Sequence, residues 1–208
     1  MSREFEIVNL EEKHQAANSE WRAHLLWITF TLRTGAAPPV YFNGSPIPQE
    51  TCFKYLGLTL DTRLTWKSHI HCKRKQLDAL LKQMYWLLGR GSQLSLPNKL
   101  LLYKTILKPI WTYGISLWGT ASHSNIEILQ RFQNKTLRLI TNAPWYVPNA
   151  VLHTDLQLPT IRAEITRMSG KYKAKLEAHP NDLAQTLCIP HTLGRLSKIT
   201  PLDLPQRF

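Results

Sequence analysis

Arg131, Lys135 and Arg138 stand at spacings of four and three. At 100° per residue on a helix they fall within about 60° of arc. Like charges so placed repel by roughly 0.2–0.5 kcal/mol per pair, a cost that alternating signs would avoid. A ladder of cations suits a row of phosphates; the plainer reading is drift on a solvated face. Lys67, Lys75 and Lys82 add cations upstream, and Trp86 falls beside Lys82 on the polar side of its segment. Rings next to Lys and Arg can stack on bases or riboses, although most of Trp66, Trp86, Trp111, Trp118 and Trp145 are expected to fill a core. Other chemistries find little support. His69-Ile70-His71-Cys72 suggests zinc, but on a helix the two histidines diverge by about 200°, and no second pair stands at ligand spacing. Asp61 and Asp78 are not spaced as an acid–base pair, and neither a glycine-rich phosphate loop nor a serine elbow occurs. Residue types alone thus nominate no catalytic group and no metal site.

The chain has 208 residues and a formal charge of +12, which favours an anionic partner, nucleic acid before an acidic membrane surface. The excess sits in the middle. Residues 54–138 hold fourteen Lys/Arg against Asp61, Asp78 and Glu127, whereas the first 53 residues are slightly acidic. Three scattered cysteines, Cys52, Cys72 and Cys188, argue against a disulfide framework. No apolar run reaches the roughly 18 residues of a membrane span, and the N-terminus lacks the order of a signal peptide. These features predict an intracellular protein, nuclear or cytoplasmic, with no membrane association.

Several elements must position the cations. Residues 1–26 are poorly patterned, with a thin helix expected from Glu11 to Leu26. Trp27–Leu32 and Val40–Phe42 read as strands separated by a turn at residues 35–39, and Asn43-Gly44 as a tight hairpin whose return arm carries Pro46 and Pro48 and can only be an edge. Phe53–Leu60 reads as one strand. Lys54, Leu56, Leu58 and Leu60 share a face of it, and Gly57 leaves room for another backbone. A helix capped by Thr65 or Ser68 continues to about Leu88 and buries Leu77, Leu80, Leu81, Met84, Leu87 and Leu88; Gly89-Arg90-Gly91 stops it. Pro97 opens the next helix, with Leu100, Tyr103, Leu107 and Ile110 inward and a kink at Pro109. Ser124-Asn125-Ile126-Glu127 has the form of a capping box. The helix it starts buries Ile126, Leu129, Thr136, Leu137 and Ile140. Leu152–Leu158 reads as irregular. A last helix from Pro159 places Ile161, Ile165, Met168, Tyr172 and Leu176 inward, and the proline-containing tail is loosely held. The fold class is α+β, mainly α, with short antiparallel strands followed by a helical bundle.

An ordered set of segments resembles the reverse transcriptases of non-LTR retrotransposons, in particular the insect jockey-like clade. The set begins with Phe53-Lys54-Tyr55-Leu56-Gly57-Leu58 and Leu64-Thr65-Trp66-Lys67-Ser68-His69-Ile70. It continues through Lys99–Thr105, Leu107–Gly114 with Trp118-Gly119, and Gln130–Arg138. Asp155-Leu156, Leu158-Pro159-Thr160 and His179-Pro180-Asn181 close it, so that the resemblance covers about residues 27–187. It implies palm-edge strands over residues 27–62, a thumb-like basic bundle over 63–142 and a helical extension over 143–187, with a divergent segment before (1–26) and a tail after (188–208). It also implies that Phe53, Lys54, Tyr55, Leu56 and Gly57 correspond to the primer grip, and that the helices track a template–primer duplex. The partner would then be RNA–DNA or DNA duplex, met through its backbone at Lys67, Lys75, Lys82, Trp86, Arg131, Lys135 and Arg138.

The departures matter equally. The family's polymerase activity needs paired aspartates that hold two metal ions, and this sequence contains no Asp-Asp. Mg2+ is therefore expected only for an intact family polymerase, with no cofactor in this chain. The chain is expected not to polymerise alone, and a partner supplying fingers and palm would be required. A non-catalytic nucleic-acid-binding module and a translated relic are the competing readings.

Overall fold

The computed structural model describes residues 6–11, 24–29, 39–42, 44–187 and 199–206. The chain divides into two compact units, Met1–Ser68 and His69–Phe208. It is mainly helical, with short antiparallel strands at the N-terminal side, as the patterning predicts.

The first unit carries three separate two-stranded sheets. Strand β1 (Glu6–Glu11) runs antiparallel to β2 (His24–Thr29), with Glu6 opposite Thr29 and Glu11 opposite His24. The expected helix from Glu11 to Leu26 is therefore wrong at both ends: Glu11 and His24–Leu26 lie in strands. Residues 30–38, and with them most of the expected turn, lie outside the described residues. Strands β3 (Tyr41–Phe42) and β4 (Ser45–Pro46) form the expected small hairpin, with Gly44 at φ 76°.

The larger correction concerns residues 53–60. They form not one strand but a hairpin, β5 (Cys52–Tyr55) against β6 (Leu58–Asp61), with Tyr55 opposite Leu58. The chain reverses at Leu56 (φ 45°) and Gly57 (φ 77°). Positive φ at both central positions is the two-residue turn whose twist matches paired strands. Gly57 thus serves the turn, not the approach of another backbone, and Leu56 is lifted off the face assigned to it, 72% exposed. After β6 the Asp61 carboxylate accepts from Thr65 N (2.9 Å), Thr65 Oγ1 (2.8 Å) and Trp66 N (3.0 Å). Thr65 Oγ1 accepts in turn from Lys67 N at 3.4 Å. The cap foreseen for Thr65 is mainly supplied by Asp61.

The second unit contains helix α1 (Lys67–Gln83) from His69 on, followed by α2 (Tyr85–Leu88) after a lapse at Met84. Leu77, Leu81, Met84 and Leu88 are buried as the stripe requires. Helix α3 (Leu96–Leu102), with Pro97 in its first turn, passes through a π-turn at Tyr103–Leu107 into α4 (Lys108–Thr112). Pro109 has no N–H to give the preceding turn. The chain widens there, with Lys108 N bonding Tyr103 O, rather than merely kinking. Tyr103 and Leu107 are buried as expected, and the extra residue in the turn puts Trp111 in the core while Ile110 is only half-buried. Helix α5 (Ile115–Trp118) begins at Gly114, whose φ is 65°. It ends at Gly119, where a Cβ would lie 2.8 Å from Ile165 Cγ2.

Helix α6 (His123–Thr141) is the central element. Its N-cap is Ser122, not Ser124, and Ser122 Oγ accepts from Asn125 N at 3.4 Å. Glu127 is thereby released from the expected capping box and pairs with Arg162 at 2.6 Å. The buried face of α6 includes Phe132 and Gln133 besides the residues the spacing predicts. Residues 149–155, read as irregular, form helix α7 (Asn149–Asp155). Helix α8 (Ile161–Glu177), capped by Thr160, buries Ile161, Ile165 and Leu176 as expected. It also buries Glu164 and Ser169 in place of Met168 and Tyr172. Glu164 can be inward because Lys108 (3.1 Å) and Arg167 both reach its carboxylate. Asn181 caps a short α9 (Asp182–Thr186) that the periodicity did not announce. Of the tail, residues 199–206 are not loose. Leu204 is fully buried in a turn that packs on α8, and Asp203 Oδ2 accepts from Thr200 N and Oγ1 at 2.9 and 2.8 Å.

Candidate nucleic-acid interface

The second unit folds its cations into two populations. One is consumed by the fold. Arg74 clamps Asp78 (Nε–Oδ2 2.8 Å), donates to Ile128 O (3.2 Å) and lies over the Phe132 ring at 5.1 Å, which ties α1 to α6. Lys99 Nζ is buried and donates to Gly89 O at 2.9 Å. Lys108 and Arg167 serve Glu164, and Arg162 serves Glu127.

The other population lines a groove. Helices α1 and α2, the Gly89-Arg90-Gly91 turn, α6 and the segment after it enclose a volume of about 400 Å³. Lys82, Arg90, Lys135 and Arg138 supply its positive charge, Tyr85 and Trp145 its rings, and Leu81, Leu139 and Ala143 its apolar floor. Lys82, Arg90 and Lys135 have no acidic partner among the described residues. Asp78 also reaches the groove, but Arg74 holds both of its oxygens. Three uncompensated cations around one depression raise the local potential for anions.

Arg138 differs from its neighbours. Its guanidinium donates to Pro144 O (2.7 Å), to Val147 O and to Asn149 Oδ1 (2.9 Å). It fastens the loop that carries Trp145 before it can meet anything else. Arg131 is exposed, with Nε donating to Glu127 O at 3.3 Å, and it stands outside the groove. The ladder inferred from helical spacing is thus divided: Lys135 and Arg138 turn toward α1, and Arg131 does not. Lys75 and Trp86 are exposed, Trp86 by 73%, but neither lines the groove. Trp66, Trp111 and Trp118 are buried, while Trp145 is 89% exposed. Tyr85, Arg90 and Trp145 are the groove residues that reading the spacing of one helix at a time could not assemble.

In the first unit Lys54, Tyr55, Leu56 and Gly57 are exposed at the tip of the β5–β6 hairpin, and Phe53 is half-buried, its ring 6.1 Å from that of Tyr55. Lys67 is exposed.

Two buried titratable groups of the bundle, His69 and Glu164, are set by their surroundings in the fold. Burial drives the His69 imidazole down to about 4, with Lys73 adding to the effect. Burial would raise Glu164, but the hydrogen bonds from Arg167 and Lys108 outweigh it and hold the carboxyl below its usual range. No group of three or more His, Cys, Asp or Glu is gathered as a ligand set among the described residues. His69 is buried and His71 exposed. Of the two carboxylates singled out in the sequence, Asp61 bonds the start of α1 and Asp78 pairs with Arg74. Nor is any helix of the described residues long and apolar enough to cross a membrane.

Comparison with known proteins gives a consistent set of relatives. The probable RNA-directed DNA polymerase from transposon X-element of Drosophila melanogaster is 45% identical over 180 residues, 86% of this chain and 20% of the relative. That from transposon BS of the same organism is 37% identical over 171 residues, 81% of this chain and 19% of the relative. The RNA-directed DNA polymerase from mobile element jockey, also of Drosophila melanogaster, is 35% identical over 187 residues, 86% of this chain and 20% of the relative. The chain is homologous to a part of the jockey-like non-LTR reverse transcriptases. It spans about a fifth of the length of these curated relatives. No family model and no solved structure matches it. The likeness to the RNA-directed DNA polymerases of non-LTR elements expected from the sequence is thereby shown.

Proposed function

We propose that this chain is a duplex-gripping segment of a non-LTR reverse transcriptase, which holds template and primer by their phosphates and does not itself transfer nucleotides. The observation that carries this reading is the convergence of Lys82, Arg90 and Lys135, from separate elements, on one groove, with none of the three in a salt bridge among the described residues and the groove's Asp78 held by Arg74. Phosphate contact of this kind positions a nucleic acid without reading its sequence. The hairpin tip at Lys54–Gly57 supports the reading as a second contact, because a lysine and an aromatic ring are held out on a tight turn. Transfer chemistry would need a carboxylate pair for two metal ions, and here the chain depends on fingers and palm supplied from elsewhere.

The test is a binding titration on an RNA–DNA duplex with a single-stranded template overhang across a salt series. The double variant Lys82→Glu/Lys135→Glu is expected to bind at least tenfold more weakly, with a salt slope shallower by about two, since each phosphate contact contributes roughly 0.9 to it. Unchanged affinity and slope would remove the groove from the grip.

A further inference from the structure

Trp145 and Tyr85 have no task in a grip that needs only phosphates. In a duplex the bases are turned inward, and cations suffice to hold the backbone. Yet Trp145 stands 89% exposed and Tyr85 57% exposed, and both line the groove that Lys82, Arg90 and Lys135 make positive. A tryptophan left in water forgoes the largest apolar burial that any side chain can supply. The ring is also held. Arg138 fastens the loop on both sides of it, at Pro144 O, Val147 O and Asn149 Oδ1, and Tyr146 meets it edge-on with centroids 6.1 Å apart. A ring on a fastened loop, beside cations without acidic partners among the described residues and above an apolar floor, is the composition of a stacking platform for an unpaired base. The volume of about 400 Å³ takes a nucleotide or two and cannot enclose a duplex.

We infer that the groove is a single-strand site, in which an unpaired base stacks on Trp145 with Tyr85 beside it while Lys82, Arg90 and Lys135 hold the flanking phosphates. The inference rests on the phosphate-gripping reading above and adds to it which part of a template–primer this groove holds: the unpaired strand that adjoins the duplex.

The test compares two 12-unit strands of identical charge, an oligothymidylate and a strand of abasic units, titrated against the full chain by fluorescence anisotropy. Wild type is expected to bind the thymidylate about tenfold or more tightly than the abasic strand, the scale of one base–aromatic stack. Trp145→Ala is expected to bring that ratio toward one, and Trp145→Phe to retain most of it. The side chain is exposed, so neither change touches the core. Equal affinity of wild type for the two strands, with charge reversal weakening both, would overturn the stacking site and leave the phosphate grip standing. A ratio that survives Trp145→Ala would overturn the assignment to this ring. Failure of both strands to bind at low salt, while an RNA–DNA duplex with a single-stranded overhang still binds, would overturn the single-strand site alone; failure of that duplex as well would remove the reading beneath it.

Discussion

Leu56 occupies a position that favours asparagine or glycine. It sits at φ 45° in the two-residue turn of the β5–β6 hairpin, 72% exposed. A left-handed conformation costs a residue with a Cβ roughly 1–2 kcal/mol, and an exposed leucine gains little burial in return. Leu56→Asn is therefore expected to stabilise the Met1–Ser68 unit by about 1 kcal/mol, read as a higher unfolding midpoint. If the hairpin tip touches nucleic acid, as proposed, the same change should weaken duplex binding, which separates a leucine kept for contact from one merely tolerated. At the same scale, His69 and Glu164 each make stability fall in acid. His69 has a folded pKa of about 4 against an ordinary 6.5. Between those values the unfolded chain takes up the proton first, so stability is full above about 6.5 and falls as pH drops toward 4. Glu164 is held below its ordinary value; its contribution is present above that value and is lost as pH falls through the lowered one. Melting midpoints measured from pH 7.5 to 3.5 should show both losses. In His69→Gln the fall between 6.5 and 4 should flatten while the more acidic one remains.

At the scale of elements, one device shapes the core and another the groove. The π-turn at Tyr103–Leu107 absorbs the missing N–H of Pro109 and delivers Trp111 to the core. Arg138 does the equivalent for the loop after α6, replacing backbone pairing with guanidinium hydrogen bonds. Arg138→Ala should cost about 1–3 kcal/mol, the scale of losing charged hydrogen bonds to partly buried acceptors. It should also speed amide hydrogen exchange over residues 144–149. Exchange there as slow as in wild type would show that the loop holds itself.

For the whole molecule, the +12 charge overstates what is available to a ligand. Arg74, Lys99, Lys108, Arg138, Arg162 and Arg167 are engaged in the fold. The groove rests on three cations, so binding should be moderate and strongly salt-dependent. In primer extension the purified chain should incorporate no nucleotide, because its 208 residues contain no adjacent aspartates and the described ones hold no cluster of ligands. Incorporation by this chain alone would refute the non-catalytic assignment.

Local pattern determined a good deal. Spacings of three and four marked the buried faces of α1 and α6, Pro97 the start of α3, and Gly44 one hairpin, because these depend on neighbours within a turn or two of the chain. The family likeness was also legible, in an ordered set of short segments. Tertiary structure decided what depends on partners far along the chain. The Phe53–Leu60 run alternates well enough to pass for a single strand, and only the pairing of Tyr55 with Leu58 folds it in two. Glu164 is buried where Lys108 reaches it from another helix, a pairing that spacing along one helix does not announce. Arg138 looks like the equal of Lys135 until the loop beyond α6 returns to meet it. Charge on a helix can be counted from sequence, but whether a charge is neutralised is a property of distance, and distance is set by the fold.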